Sequence, residues 1–497
     1  MNNIYYSSTR ENKEKVESSL AIIKGLSEDG GLFVPNKIPD LACSLTELIE
    51  MDYKQVAYEV MKCYFTDFTE DELKSCINNA YNEKFDTNEI APLKNEDAAY
   101  FLELFHGPTI AFKDMALSIL PYLMKTAAKK QNIKNEIMIL TATSGDTGKA
   151  ALEGFKDIEG TKIIVFYPEG GVSAIQKQQM VTQKGKNTHV IAIEGNFDDA
   201  QNGVKKIFGD KEFNKIINNN GCQLSSANSI NIGRLIPQIV YYFYAYTRMV
   251  RNKDITIGEK INIAVPTGNF GNILAAYYAK KMGLPINKLI CCSNENKVLF
   301  DFFEKGIYDK NREFILTNSP SMDILISSNL ERLLYSIANE NGETTSELMS
   351  QLKNSGKYEL TNEMKNSLND FYAEFASEQE TEDAIKKLYD KSGYLIDTHT
   401  AVGYAVYNKY INDTQDTTKT VIASTASPYK FTKSVMKSID EKFESTDEFE
   451  LLKEMNGLSK VDIPIAVKNI LNDEIIHKTV CKIDEMKEEV YKILNLK

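Results

Sequence analysis

The sequence has few of the residues from which metal sites and disulfide frameworks are built. It has four histidines, and none is followed by another histidine three or four residues later. Its seven cysteines include no Cys-x-x-Cys pair, and their number is odd. Zinc sites need closely spaced His and Cys ligands, and disulfide frameworks need paired cysteines. We therefore expect no bound metal and a protein of the reducing cytoplasm.

Positive charge and long apolar runs are also scarce. The 497 residues include 58 Lys and Arg against 70 Asp and Glu, a formal net charge of −12, so the basic surface that nucleic-acid binding requires is not expected. The most apolar run, residues 236–250, contains Gln238 and Arg248 and is too short to span a bilayer. No apolar signal core begins the sequence, and neither a Gly-x-Ser-x-Gly elbow nor a phosphate-binding P-loop motif occurs. We expect a soluble, cytoplasmic protein without nucleic-acid or membrane partners, either a monomer or a homodimer.

Short apolar runs followed by glycine-containing turns and amphipathic helices fill the middle of the chain. The predicted strands are residues 137–140, 162–166, 189–193 and 261–265. Strands that alternate with helices at this spacing predict an α/β fold with parallel sheets, in which ligands bind at the carboxyl ends of the strands. A chain of this length exceeds one typical domain. We predict a helical subdomain at 1–92, a smaller α/β domain at 93–205, a larger one at 206–440 and a C-terminal extension at 441–497.

The segment His106-Gly-Pro-Thr-Ile-Ala-Phe-Lys-Asp114 places one lysine among apolar and hydrogen-bonding residues. A solvated lysine has a pKa of about 10.4 and is a poor nucleophile at neutral pH, whereas burial frees the lone pair of its amine. The three apolar residues before Lys113 would exclude water from it and favour Schiff-base chemistry. Taken alone, the segment also fits an ordinary solvated lysine at the start of a helix.

Two turns have the composition of anion sites. Residues 267–272 (Thr-Gly-Asn-Phe-Gly-Asn) and 143–148 (Thr-Ser-Gly-Asp-Thr-Gly) each link a predicted strand to a helix N-terminus. Glycine allows a close backbone approach, and the helix dipole adds partial positive charge. Each turn also fits a plain strand-to-helix connection with a side-chain cap. Neither turn has the glycine spacing of a dinucleotide-binding motif.

A nucleophilic lysine, a phosphate cradle and a second anion turn together fit one ligand. Pyridoxal 5′-phosphate has an aldehyde for the lysine and a phosphate for one glycine turn, and the carboxylate of an amino acid would occupy the other turn. We therefore predict pyridoxal 5′-phosphate as the cofactor and a small amino acid as the substrate.

Seven segments resemble the threonine synthase family of fold-type-II pyridoxal-phosphate enzymes. Besides the lysine segment and the two turns, they are Tyr6–Arg10, Gly25–Pro35, Ser226–Asn231 and Pro320–Arg332. The resemblance extends from about residue 5 to 432. It implies an α/β fold like that of the tryptophan synthase β subunit, with two open α/β domains after the helical subdomain. It also implies a carbon–oxygen lyase that converts O-phospho-L-homoserine and water to L-threonine and phosphate.

The resemblance also implies roles for individual positions. Lys113 is expected to bind the cofactor covalently and then to act as the general base. The cofactor phosphate is expected at Gly268, Asn269, Phe270, Gly271 and Asn272, and the pyridine nitrogen at Thr425. The substrate carboxylate is expected at Ser144, Gly145, Asp146 and Thr147, and the substrate phosphate at Asn231 and Arg234. Arg234 also fits a surface arginine of a helix.

Two positions leave alternatives open. His106 would either assist near the substrate phosphate or fix its own loop. The family usually has a histidine where this chain has Ser427, so a phospho-lyase that releases 2-oxobutanoate and ammonia is an alternative activity. A serine or threonine dehydratase on the same fold and a non-catalytic pyridoxal-phosphate-binding protein are further alternatives.

Overall fold

The computed structural model describes residues 3–11, 14–143, 145–170, 172, 174–459, 461–468 and 473–496. The region before residue 93 is mostly helical. Its elements are β1 (Tyr6–Ser8), α1 (Ser18–Lys24), β2 (Phe33–Pro35), α2 (Leu45–Leu48), α3 (Tyr53–Met61) and α4 (Glu70–Ala80). The strands β1 and β2 form an antiparallel pair. The helices α3 and α4 each begin with a capping box, which satisfies two backbone N–H groups that the helix leaves free.

Residues 93–225 alternate strands with helices. The elements are β3 (Leu93–Glu96), β4 (Ala99–Glu103), α5 (Asp114–Leu117), α6 (Leu120–Lys130), β5 (Glu136–Ala142), α7 (Asp146–Phe155), β6 (Thr161–Pro168), α8 (Ala174–Val181), β7 (Thr188–Ile193), α9 (Phe197–Gly209), α10 (Lys211–Asn219) and β8 (Cys222–Ser225). The predicted strands at 137–140, 162–166 and 189–193 are confirmed as parts of β5, β6 and β7.

The remainder of the chain adds further helices around a second set of strands. The elements up to residue 424 are α11 (Ile232–Arg251), β9 (Ile261–Pro266), α12 (Gly271–Lys281), β10 (Ile286–Ser293), α13 (Val298–Lys305), β11 (Ile307–Asp309), α14 (Leu330–Ile337), α15 (Gly342–Ser355), β12 (Lys357–Glu359), α16 (Asn362–Asn366), β13 (Phe371–Phe375), α17 (Glu378–Ser392), α18 (Thr398–Thr414) and β14 (Thr420–Ser424). The last elements are α19 (Thr432–Ile439), α20 (Glu448–Ser459), α21 (Ile465–Lys468), β15 (Val480–Cys481) and α22 (Met486–Ile493). Short 3₁₀ helices lie at Pro320–Met322, Pro428–Lys430, Glu441–Ser445 and Ile483–Glu485.

Two sheets organise the molecule. The larger has the strand order β13-β10-β9-β14-β4-β3, and its neighbours are parallel except for the antiparallel pair β3 and β4. The smaller has the order β15-β7-β6-β5-β8 and is parallel throughout. The predicted strand at 261–265 is β9 of the larger sheet. The predicted α/β class with parallel sheets is confirmed.

The sheets divide the chain differently from the predicted domain boundaries. The strands β3 and β4 lie in the stretch predicted as the smaller domain but belong to the larger sheet. Conversely, β8 comes from the predicted larger domain, and β15 from the predicted extension, yet both join the smaller sheet. An apolar pattern reports that a strand is buried but not which sheet it joins. The domain boundaries therefore remain a prediction.

The most apolar run of the sequence lies in α11, a helix buried along most of its length. It packs against α3, α5 and α12 and so connects the N-terminal helices to the rest of the molecule. Among the described residues, no helix has both the length and the apolarity that crossing a membrane requires.

Candidate active site

Lys113 lies in the loop between β4 and α5, beside the carboxyl end of β14. The Phe112 N–H donates to the Thr425 carbonyl oxygen at 2.8 Å, and the Ser427 N–H donates to the Ile110 carbonyl oxygen at 3.0 Å. These two bonds tie the lysine loop to the segment that follows β14. They hold Thr425, predicted to face a pyridine nitrogen, next to the lysine.

The Lys113 side chain is buried against a carboxylate. It is 12% exposed, and its Nζ lies 3.3 Å from Asp146 Oδ2. Burial lowers the pKa of Lys113, and the positive charges of Lys430 and Arg234 lower it further, although Asp146 opposes them. The neutral amine is the form that bonds an aldehyde and accepts protons. Lys113 is therefore not a solvated lysine at the start of a helix.

Asp146, the first residue of α7, collects four hydrogen-bonding or charged partners. Besides Lys113, these are Lys430 Nζ at 3.2 Å, Ser321 Oγ at 2.6 Å and Gln176 Nε2 at 2.8 Å. Although burial raises the pKa of Asp146, the charges of Lys430 and Lys113 outweigh it and hold the pKa well below its usual value. An ionised carboxylate would repel another carboxylate. These contacts suit the Asp146 side chain to positioning Lys113 and leave its backbone N–H as the group suited to a substrate carboxylate, and the predicted binding role of Asp146 stays a prediction.

Ser321 connects Asp146 to a buried histidine. Its Oγ–H donates to Asp146, and its backbone N–H donates to His399 Nε2 at 3.0 Å. The other ring nitrogen, Nδ1, lies 2.8 Å from Asp397 Oδ2. With Nε2 accepting, Nδ1 carries the hydrogen that bonds Asp397, so His399 is the neutral tautomer. Asp397, His399 and Ser321 thus form a hydrogen-bonded series that holds the Asp146 carboxylate in place.

The lysine loop is held in shape by Asp114. Its carboxylate accepts from the Thr109 N–H at 2.8 Å and from Thr109 Oγ1 at 2.6 Å. Burial raises the pKa of Asp114 to about 6. An added Cβ at Gly107 would lie 2.5 Å from the Asp114 Cβ, so this turn has no room for a side chain there. The turn presents Lys113 inward.

The turn after β9 forms the predicted phosphate cradle at the N-terminus of α12. Phe270 has a φ of 63°, in the left-handed region, and leads into the first helical residue, Gly271. The hydroxyls of Tyr241 and Tyr242 both donate to Asn272 Oδ1, whereas its buried Nδ2 has no hydrogen-bond partner among the described residues. Buried amide donors are normally satisfied. A free donor beside a helix N-terminus fits a phosphate.

The cradle rests on the segment that carries Ser321. An added Cβ at Gly268 would lie 2.9 Å from the Ser321 carbonyl oxygen, so only glycine fits there without movement. Ser327 Oγ donates to the Gly268 carbonyl oxygen at 2.7 Å, and the Asn329 N–H donates to the Asn269 carbonyl oxygen at 3.0 Å. The phosphate cradle and the support of Asp146 are thus parts of one packed unit.

The second predicted anion turn lies at the N-terminus of α7. Thr143 Oγ1 accepts from the N–H groups of Gly145 and Gly148, both at 2.9 Å, which closes the turn. Gly145 has a φ of 130°, and an added Cβ would lie 2.6 Å from the side chain of Gln176. Thr147 is half-buried in the first turn of the helix. Ser144, also predicted to bind the substrate, lies outside the described residues.

Asn231, at the start of α11, has its hydrogen-bonding groups fully engaged. Its Nδ2 donates to the carbonyl oxygens of Ile22 and Ser226 at 2.9 and 3.0 Å. Its Oδ1 accepts from the Gly233 N–H at 2.8 Å as the helix N-cap. With both amide hydrogens in use, Asn231 has no donor for a phosphate. These contacts support a structural role for Asn231, and its predicted role in binding the substrate phosphate stays a prediction.

Arg234, one turn further along α11, is a buried cation that lacks a carboxylate partner within the described part of the chain. It is 3% exposed, its Nη1 donates to the Ala227 carbonyl oxygen at 3.0 Å, and its Nε has no partner there. Burial lowers its pKa to about 10. Burying an unpaired charge is costly, and a guanidinium matches a phosphate or carboxylate bidentately. Arg234 is therefore not a surface arginine.

His106 is held between two carboxylates. Its Nδ1 lies 2.5 Å from Asp86 Oδ1, and its Nε2 lies 2.9 Å from Glu103 Oε2. Burial lowers the pKa of His106, but the hydrogen bonds and charges of Asp86 and Glu103 outweigh this effect and raise the pKa to about 9. Both ring nitrogens are in use, which supports the role of fixing the loop. Ser427 also has a structural contact, because its Oγ accepts from the Tyr429 N–H at 3.3 Å.

Comparison with known proteins identifies the family. Family models described as the threonine synthase N terminus, as pyridoxal-phosphate-dependent enzymes and as the threonine synthase C-terminal part match residues 5–81, 86–427 and 400–479. Threonine synthase of Saccharomyces cerevisiae is 36% identical, over 95% of this chain and 98% of its own. The chain belongs to the threonine synthase family.

Other threonine synthase relatives agree. The threonine synthase-like 1 protein of Macaca fascicularis is 42% identical over 85% of this chain, which spans 58% of that relative's length. The crystal structure of the threonine synthase of Brucella melitensis, bound to pyridoxal phosphate, has a TM-score of 0.87 at 33% identity and covers 99% of both chains. The predicted fold type and the predicted cofactor, pyridoxal 5′-phosphate, are confirmed.

The site of this threonine synthase family member fits the cofactor residue by residue. The buried amine of Lys113 suits its aldehyde, and the unused Nδ2 of Asn272, with the N-terminus of α12, suits its phosphate. Thr425, 5% exposed and tied to the lysine loop, suits its ring nitrogen. These assignments of individual residues remain predictions.

Four residues of the threonine synthase site were missed from the sequence. They are Gln176, Ser321, His399 and Lys430. Ser321 lies inside a segment that resembled the family, and Lys430 follows closely after Thr425, so a signal existed for both. No sequence signal pointed to Gln176 or His399, because only folding brings Gln176 to Asp146 and His399 to Ser321.

Proposed function

We propose that this protein converts O-phospho-L-homoserine and water to L-threonine and phosphate in the cytoplasm. The observation that carries the proposal is a buried lysine, whose pKa is lowered by burial, close to a buried arginine whose Nε has no partner in the described chain. The lysine suits an aldehyde cofactor and proton transfer, and the arginine suits the phosphate of a substrate. The seven cysteines are free thiols, which supports the cytoplasmic location.

Two anion positions orient the substrate in this proposal. The first N–H groups of a helix have no partner within the helix. The backbone N–H groups of Asp146 and Thr147 would therefore bind the substrate carboxylate, assisted by the dipole of α7. The Arg234 guanidinium would bind the substrate phosphate through two N–H groups. The ionised side chain of Asp146 would keep both negative groups away from its own position.

Lys113 would perform the proton transfers. Bound pyridoxal phosphate supplies an electron sink for the negative charge that develops on the substrate. The neutral Lys113 amine would accept a proton from Cα, release it within the site, and then, neutral again, accept one from Cβ. It would return a proton to Cγ after phosphate has left, and a proton to Cα after water has added at Cβ. One base can serve several transfers because it remains beside the reacting carbons, and burial of the site limits competing protonation by bulk water.

Product analysis tests the proposal. The purified protein, incubated with pyridoxal phosphate and O-phospho-L-homoserine, is expected to release L-threonine and phosphate in equal amounts. The Lys113→Ala variant serves as the control and is expected to form neither product. Release of 2-oxobutanoate and ammonia would identify a phospho-lyase instead, and consumption of L-serine or L-threonine a dehydratase. A wild-type protein that binds the cofactor without turnover of any of these compounds would be non-catalytic.

A further inference from the structure

Lys430 is a buried charged group whose presence the proposed reaction does not explain. Its side chain is 0% exposed. The ammonium group donates to the Thr109 carbonyl oxygen at 2.9 Å and lies 3.2 Å from Asp146 Oδ1. Removing an ammonium from water is costly unless it is well paired. Because Lys430 contacts the same carboxylate as Lys113, it is a candidate for a functional role.

Two lysines share one carboxylate in this site. Lys113 lies against Asp146 Oδ2 and Lys430 against Asp146 Oδ1. While Lys430 is charged, Asp146 is already neutralised, and a neutral Lys113 leaves the cluster with no net charge. Without Lys430, a neutral Lys113 would leave a buried, uncompensated carboxylate. Lys113 would then be held as an ammonium to pair with Asp146.

The other charged groups around the cluster do not replace Lys430. Arg234 adds positive charge to the surroundings of Lys113, but it donates to the Ala227 carbonyl oxygen and makes no ion pair with Asp146 among the described residues. His399 faces Asp146 through Ser321 and is neutral, with its Nδ1 bonded to Asp397. The carboxylate of Asp114 accepts hydrogen bonds from Thr109 and, although the charge of Lys430 lowers its pKa, it carries no positive charge that could neutralise Asp146. Among the described residues, Lys430 is thus the cation in direct contact with Asp146 besides Lys113 itself.

We propose that Lys430 is a positioning residue, a fixed cation that neutralises Asp146 and thereby leaves the Lys113 amine uncharged. The uncharged amine bonds the cofactor aldehyde with loss of water, and it accepts substrate protons. The first of these consequences requires only the cofactor, whereas the second rests on the proposed function. Covalent capture of pyridoxal phosphate by the apoenzyme therefore tests the role of Lys430 without any substrate.

The experiment measures the rate at which the apoenzyme forms a borohydride-reducible bond to pyridoxal phosphate, as a function of pH. For Lys430→Met, capture at about pH 7 is expected to slow by at least about tenfold and to approach the wild-type rate in alkaline solution, since one pKa unit changes the neutral fraction tenfold. Lys430→Arg keeps the charge and should keep the wild-type profile. Lys149→Met is the matched control, because Lys149 is a buried lysine of α7 whose ammonium pairs with Glu153.

A second pair of variants keeps the test decisive if Lys430→Met does not fold. Asp146→Asn leaves Lys113 near the uncompensated charge of Lys430, which favours the neutral Lys113 amine. The pH dependence of cofactor capture should therefore shift to lower pH. The double variant Asp146→Asn with Lys430→Met removes both charges and should restore a profile close to wild type. If the profiles of Lys430→Met and Asp146→Asn coincide with that of the wild-type protein, or if capture falls equally at every pH, Lys430 has only a packing role and the inference is wrong.

Discussion

Lys113 owes its chemistry to contacts that its local sequence does not contain. The segment 106–114 predicted a lysine sheltered from water, and the side chain is buried as expected. Its protonation depends on Asp146, 33 residues further along the chain, and on Lys430 behind it. Motif position had suggested that Asp146 binds a substrate carboxylate. The side chain of Asp146 instead contacts Lys113 and Lys430, which the fold brings to the N-terminus of α7 from distant parts of the chain. A single sequence does not show which cations will meet there.

His106 is expected to make stability depend on pH. Its pKa is raised in the folded protein, from 6.5 to about 9, so its contribution is complete below about pH 6.5 and is lost as pH rises through about 9. The contribution is at most about 3 kcal/mol, because one pKa unit corresponds to about 1.4 kcal/mol. Urea unfolding of the wild-type protein and of His106→Gln, between pH 6 and 10, measures it.

The difference in unfolding free energy between these two proteins should therefore shrink as the pH rises from about 6.5 through about 9. A difference that stays constant across the interval would show that the contacts with Asp86 and Glu103 do not perturb His106. Retention of cofactor binding in His106→Gln serves as the control for the loop, since the side chain contacts neither Lys113 nor Asp146 among the described hydrogen bonds.

Two residues at the start of α11 were predicted to bind the substrate phosphate, and substitutions of the two are expected to have opposite effects on KM and stability. Arg234→Met removes a buried charge that lacks a carboxylate partner in the described chain. It should raise the KM for O-phospho-L-homoserine by at least about tenfold, the loss of a charged hydrogen bond of about 1.5–3 kcal/mol, while stability is unchanged or increased. Asn231→Ala, the matched variant, removes the helix cap and should cost about 1 kcal/mol of stability with little change in KM. Steady-state kinetics and denaturant unfolding of both variants decide between the assignments.

The opposite pattern, a destabilised Arg234→Met with an unchanged KM, would contradict the substrate role of the arginine.

At the level of single elements, the order of strand, glycine turn and helix was predictable because all three are adjacent in sequence. The phosphate cradle at the start of α12 was predicted in this way. The tyrosines of α11 that donate to Asn272 Oδ1 belong to another element, so the sequence did not reveal their contact with the turn.

The C-terminal segment is part of the smaller sheet of the whole molecule rather than an independent appendage. The strand β15 pairs with β7, and Met486 of α22 lies in one apolar cluster with Ile193 and Val204. An added Cβ at Gly203 would lie 2.3 Å from Met486 Sδ, which shows how closely α22 packs on α9. Because this segment is rich in charged residues, its buried face could not be recognised from the sequence.

Met486→Ala is therefore expected to destabilise the smaller sheet by about 2–5 kcal/mol, the usual cost of truncating a buried methionine. Lys492→Ala, on the same helix with a side chain that is 68% exposed, should change stability by less than about 0.5 kcal/mol. Hydrogen exchange of the amides in β7 should become faster in Met486→Ala alone. Equal exchange in both variants would mean that the segment does not support the sheet.

The whole-molecule architecture was predictable in class but not in connectivity. Alternating strands and helices predicted parallel sheets, because parallel strands need crossover helices. The assignment of β4 to the larger sheet and of β8 to the smaller depends on pairings between distant segments. Those pairings bring the loop of Lys113, the turn after β14 and the first turn of α7 together, and the proposed reaction depends on that meeting point.

The reaction run in water enriched in ¹⁸O tests the proposed chemistry most directly. Loss of phosphate from Cγ breaks the carbon–oxygen bond, so the released phosphate keeps its original oxygens, and water supplies the hydroxyl at Cβ. Mass spectrometry should therefore find one ¹⁸O atom in L-threonine and none in phosphate. Label in the phosphate, with homoserine as the other product, would mean phosphorus–oxygen hydrolysis and would contradict the role of Lys113 as the base of a carbon–oxygen lyase.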